Sequence, residues 1–193
     1  MELLEFQDKL QKDIEMIGED TVRENGVIRS MVSHLGVNDT NVILETLIEG
    51  AYNGDELPYP VLRFHITIAK DIEPENFRNV TYALNELNTV IDSGEFPSFG
   101  GFGLYMPLGQ IYMSYRMPIN IGNLEGELEN ARFFLGTVFE QMDLFADMVL
   151  YIAEGNDLAS MDRYAEYLRN ITDISDLEER AKKLSEYLEN IEQ

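Results

Sequence analysis

The chain contains two histidines, His34 and His65, and no cysteine. The missing cysteine excludes thiol nucleophiles, disulfide frameworks, zinc clusters and iron–sulfur sites together. Neither histidine stands in His-Glu-x-x-His or Glu-x-x-His spacing, so nothing supports a zincin or a di-iron carboxylate centre. A Ser-His-Asp site would need one of them as its base, and no nucleophile-elbow sequence is present. Both histidines are expected in ordinary surface or core packing.

Carboxylates make the best catalytic candidate. Glu140, Asp143 and Asp147 follow one another at three and four residues, which sets them on one face of a helix. Glu-x-x-Asp resembles the magnesium ligands of the all-helical nucleotide pyrophosphohydrolases of the MazG type, a likeness that implies a second acidic cluster on a preceding helix. Glu125, Glu127 and Glu129 instead share the same helix and are spaced by two, which scatters them around it. The expectation is a solvated polar face with no metal and no cofactor, and the hydrolase stands as an alternative. Asn38-Asp39-Thr40-Asn41 with Glu45 lacks the loop length and glycine of an EF-hand. The glycines from Gly94 to Gly103 precede a strand and bring no lysine, unlike a phosphate cradle. Phe96, Phe99 and Phe102 in that stretch are expected to plug the edge of the core.

A third constellation mixes cations with phenols. Arg63, His65, Tyr112 and Arg116 fall on the polar side of two alternating segments, and Tyr105 is expected to join them. Two readings stand: a recognition surface, since tyrosine offers apolar area with a polar tip, or a salt ladder in which Glu45 and Glu49 neutralise the arginines.

These cations are scarce. Thirty-six acids against 14 bases leave a net charge of −22 on 193 residues. Nucleic acid and anionic membranes need clustered lysine and arginine, so neither is an expected partner. An acidic surface suits a basic or amphipathic protein, or serves solubility alone. The opening residues, Met1-Glu2-Leu3-Leu4-Glu5, lack the basic and apolar regions of a signal peptide, and no apolar run approaches a membrane span. A cytoplasmic location is the expectation.

The elements that must position these residues follow from periodicity. The first 35 residues are predicted to form two short helices. Leu3, Leu10, Ile14 and Ile17 mark the first; Asp20-Thr21 caps the second, whose face is Val27, Ile28, Met31, Val32 and Leu35. Strands are predicted at 42–49, 60–69, 102–107 and 110–120, the second and fourth by strict alternation. Pro74 opens a helix to about Ile91. Asn123 caps a long helix whose apolar residues recur at four and three up to Ile152. Two short helices close the chain, the last with a capping box at Ser175 and Glu178. The fold class is therefore α+β: an antiparallel sheet with long helices on one face, an N-terminal helix and a C-terminal helical hairpin. Residues 1–155 are read as one domain and 156–193 as the appended hairpin.

The order helix, two strands, helix, two strands, long helix resembles the type III secretion chaperone-like fold, in particular its YbjN-like branch. The residues carrying the likeness are Ala83-Leu84-Asn85-Glu86-Leu87-Asn88, Gly94-Glu95-Phe96, Tyr112 to Pro118 and Asp143-Leu144-Phe145. The resemblance implies a non-enzymatic protein that binds a segment of another protein, often as a homodimer. The first helix and the C-terminal hairpin depart from the common pattern. An immunity or inhibitor protein that caps a basic toxin or nuclease is the alternative the charge suggests.

Overall fold

A computed structural model describes residues 1–50, 59–92, 94, 99–156 and 161–191. Helix α1 (Leu3–Glu15) is followed by four strands, β1 (Glu19–Glu24), β2 (Val27–Leu35), β3 (Thr40–Glu49) and β4 (Val61–Ala69). A 3-10 turn at Pro74–Asn76 leads into α2 (Phe77–Asp92), then β5 (Phe102–Tyr105), β6 (Gln110–Pro118) and the long helix α3 (Leu124–Ala153). Helices α4 (Met161–Ile171) and α5 (Leu177–Ile191) complete the chain. The six strands form one sheet in the order β1-β2-β3-β4-β6-β5, with every neighbouring pair antiparallel.

The α+β class, the helices on one face of the sheet, the N-terminal helix and the C-terminal helix pair are as expected. The second N-terminal helix is not there. Val27 to Leu35 is strand, paired with β1 through a turn at Asn25-Gly26, where both residues take positive φ (50° and 80°). Asn-Gly is a strong signal for such a two-residue hairpin, whose backbone twist matches that of the flanking strands. The apolar positions here fit both periods, but Ile28, Ser30 and Val32 alternate inward and all three are buried. Buried Ser30 satisfies its hydroxyl on Thr21 (2.7 Å) and the Glu19 carbonyl (3.1 Å). Asp20-Thr21 is thus part of an edge strand and caps nothing. Among the described residues the sheet has six strands where four were expected, and four rather than two precede α2.

The sheet's inner face and the helices share one core. Leu44, Leu62, Phe64, Ile66, Ile111 and Met113 point into it, against Val80, Leu84 and Leu87 of α2 and Val138, Met142 and Phe145 of α3. The heptad seam of α3 lies along the sheet, and the α4–α5 pair adds Tyr164, Leu168 and Leu184 to the same cluster. Asn123 does cap α3, its side chain accepting from the Gly126 amide. At α5 the cap is Asp176, not Ser175: its Oδ1 accepts from the Glu179 amide at 3.0 Å. Among the described residues no helix is long and apolar enough to cross a membrane.

Two amides stitch the stretch before β5 to the helices. Asn88 of α2 both donates to the Phe102 carbonyl (2.9 Å) and accepts from its amide (2.7 Å). Fully buried Gln141 of α3 does the same for the Phe99 amide and the Gly100 carbonyl. Phe99 and Phe102 do close the core edge, on Phe134 and Phe145 respectively. Phe96 lies outside the described residues.

Candidate functional site

Among the described residues, the helices cover one face of the sheet and leave the other bare. Strand alternation decides what that bare face carries. In β4, Leu62, Phe64 and Ile66 turn inward, so Arg63 and His65 turn outward. In β6, Ile111 and Met113 turn inward, leaving Gln110, Tyr112, Ser114 and Arg116 outward. Register does the rest: Arg63 lies opposite Arg116, His65 opposite Ser114 and Thr67 opposite Tyr112. Tyr105 of β5 sits opposite Gln110.

All five residues singled out from the sequence, Arg63, His65, Tyr105, Tyr112 and Arg116, line one open cleft of about 390 Å³ together with Gln110 and Ser114. The last two belong to the same alternation and were legible in it. The His65 and Tyr112 rings stack, their centroids 5.2 Å apart and their planes 26° from parallel. The Tyr112 phenol rests on Gly103, where an added Cβ would stand 3.1 Å from its ring. Glycine at 103 is what lets the ring lie flat on the strand beside it.

The salt ladder is also real, but it is incomplete. Glu49 of β3 bridges the two arginines, accepting from Arg63 Nη1 at 3.4 Å and from Arg116 Nε at 3.1 Å. Glu45 pairs instead with Arg29 of β2. Two guanidiniums directly across a strand pair repel one another, and here one carboxylate serves both. Among the described residues, Arg63 Nε and His65 Nδ1 are buried and have no hydrogen-bond partner. Burial holds the His65 imidazole below its usual pKa. Arg63 and Arg116 push in the same direction, against Glu45. His34, by contrast, stands exposed beside Asp39 at the β2–β3 turn.

The α3 carboxylates are used quite differently from the solvated face expected of them. Asp147 is buried and accepts from the Val37 and Asn38 amides, each at 2.9 Å. Asp143 accepts from the Gly36 amide (2.9 Å) and from Arg180 Nη1 (2.8 Å). Three consecutive backbone N–H groups of the β2–β3 turn thus close on two carboxylates of a helix over a hundred residues away. Gly36 makes the approach possible: its φ is +66°, and a Cβ there would lie 2.7 Å from Asp147 Oδ2. Glu140 is exposed and takes no part.

With their oxygens engaged by N–H and guanidinium donors, Asp143 and Asp147 are poorly placed to ligate magnesium. Among the described residues no group of three or more histidine, cysteine or acidic side chains could hold a metal ion. Millimolar magnesium or manganese is expected to leave the melting temperature unchanged. A hundredfold excess over the dissociation constant would add about 2.7 kcal/mol if the native state bound metal. A metal-dependent rise that Asp143→Asn abolishes would restore the hydrolase.

No protein-family model, no curated protein and no solved structure matches this chain.

Proposed function

We propose that this is a cytoplasmic, non-enzymatic, chaperone-like module that binds an amphipathic segment of another protein on the bare face of its sheet. One observation carries the reading: the cleft on that face gathers guanidinium, imidazole and phenol groups that the core does not need. A six-stranded sheet covered on one side only offers a broad platform. Half-buried Met31, Ile43 and Leu47 run beside the cleft as its apolar complement. Tyrosine and arginine are the residue types over-represented among binding hot spots.

The charge of −22 favours a second reading, an immunity or inhibitor protein that caps a basic toxin or nuclease. The two differ in where the partner sits. A basic partner would meet the acidic helices, whereas an amphipathic segment would meet the sheet. A homodimer through the sheet is the competing occupant, and sedimentation of the isolated protein distinguishes it.

The test is surface-plasmon kinetics on a partner recovered by pull-down from the native host. Tyr112→Ala and Arg116→Ala are each expected to raise the off-rate about tenfold, or ~1.4 kcal/mol. Melting temperatures should change little, because both side chains lie outside the core. The on-rate should fall as ionic strength rises from 0.01 to 0.1 M, since the Debye length shrinks from about 30 to about 10 Å. An unchanged off-rate in both variants moves the site off the sheet and favours the inhibitor. A salt-independent on-rate leaves the acidic charge a role in solubility alone.

A further inference from the structure

The cleft carries a local charge opposite to that of the whole protein. Across β2 to β6 the outward side chains include three arginines, Arg29, Arg63 and Arg116, against two glutamates, Glu45 and Glu49. Glu45 is taken by Arg29, so among the described residues Arg63 and Arg116 share Glu49 alone. Polar groups gather in one place: the two guanidinium side chains, the His65 imidazole, the amide of Gln110 and the phenols of Tyr105 and Tyr112 line the same walls.

We propose that this cleft takes a carboxylate side chain, an aspartate or glutamate, presented by the docked segment. This rests on the docking reading above and names its chemistry. Glu49 acts as the internal stand-in: it makes the ionic contacts with the two guanidiniums while no segment is bound, and it shares or yields them when one arrives. The cleft spans β4, β6 and the edge strand β5, so a segment lying over Leu47 and Ile43 of β3 reaches it by crossing one strand, and the free-terminus peptide below separates a side chain from a chain end. Arginine recognises carboxylates in a directed, charge-assisted way that lysine does not match, and both cations here are arginine.

The two-histidine composition supplies the probe. A carboxylate bound beside His65 raises its pKa, because a nearby negative charge favours the imidazolium. The groups facing His65 are Glu45 of β3, Arg63 of its own strand, and Tyr112, Ser114 and Arg116 of β6. With affinity and protonation linked, peptide binding tightens as pH falls through the range in which His65 titrates. His34, exposed at the β2–β3 turn, is the internal control.

The experiment follows both imidazole signals by NMR over pH at constant ionic strength. Millimolar N-acetyl-Ala-Glu-Ala-amide is compared with N-acetyl-Ala-Gln-Ala-amide, and with N-acetyl-Ala-Gln-Ala bearing a free C-terminus. The glutamate peptide is expected to move the His65 pKa up by about one pH unit and to leave His34 in place. Arg116→Gln should weaken that peptide about tenfold, as loss of a charge-assisted contact does, and Glu49→Gln should tighten it. Both substitutions are on the bare face, and an unchanged melting temperature reports that the fold is intact. A response to the free terminus but not to the glutamate overturns the side-chain assignment. Equal responses to glutamate and glutamine peptides overturn carboxylate recognition altogether. If the NMR result fails while Tyr112→Ala still raises the partner's off-rate, only the carboxylate is lost; if both fail, the docking reading goes with it.

Discussion

Replacing Asp147 by alanine is expected to cost about 2–4 kcal/mol of stability, from two orphaned amides at roughly 1–3 kcal/mol each, discounted because the turn lies near water. Asp147 is only 6% exposed, and it accepts from the Val37 and Asn38 amides at 2.9 Å. At about 2–4 °C per kcal/mol for a chain of this size, the melting temperature should drop by roughly 4–16 °C. Gly36→Ala should also destabilise, because its Cβ would press on the same carboxylate and its φ is positive. The two losses should not add. Removing the Asp147 carboxylate removes the obstacle to a Cβ at 36, so the double variant should lose less than the sum. A drop below about 2 °C for Asp147→Ala would show that water replaces the carboxylate in the turn. Strict additivity would show that Gly36 is needed for its φ alone.

Arg180→Ala is expected to free the C-terminal helix pair while the sheet stays folded. Arg180 is 7% exposed and donates twice to Asp143, to Oδ2 at 2.8 Å and to the main-chain carbonyl at 3.1 Å. Asp143 in turn holds the Gly36 amide, so one carboxylate joins α3, α5 and the β2–β3 turn. The Asp143 side chain is 41% exposed, which screens the ion pair. The lower end of the range for charged hydrogen bonds therefore applies, about 1.5–2 kcal/mol. Amide exchange in α4 and α5 should accelerate about tenfold to thirtyfold by sub-global opening, with β3, β4 and β6 unchanged. In the same helix pair Tyr167 stacks on both Tyr164 and Tyr187, and burial raises all three phenol pKa values. Once the pair opens, these phenols should ionise nearer the ordinary tyrosine range, which ultraviolet titration reads directly. Faster exchange spread evenly over sheet and helices would instead mean that the whole chain unfolds as one unit.

The contrast between the two sites explains how far local pattern reaches. The bare-face residues were legible because a strand has period two. Once Leu62, Phe64 and Ile66 are assigned inward, Arg63 and His65 must face out, and Tyr112 and Arg116 follow from Ile111 and Met113 in the same way. The long helix was legible for a similar reason, its apolar residues recurring at four and three over eight turns. Periodicity failed where a short segment satisfied both templates. Val27, Ile28, Met31, Val32 and Leu35 mark a helical face as well as they mark strand β2, and what separates the two is the Asn25-Gly26 turn and pairing with β3.

From its sequence alone this protein had an α+β class, a strongly acidic balance, no cysteine chemistry, and a set of cations and tyrosines confined to one side of two strands. The tertiary structure decided whom those side chains meet. Glu49 goes to both Arg63 and Arg116 while Glu45 goes to Arg29, a choice made by the register of four strands. Asp143 and Asp147 became anchors because loop closure brought residues 107 to 110 positions away against them. The physical reason is one of range. Side-chain direction is set by backbone geometry over a few residues, which a sequence displays openly, whereas the partner of a carboxylate depends on how distant elements pack, and no local spacing records that.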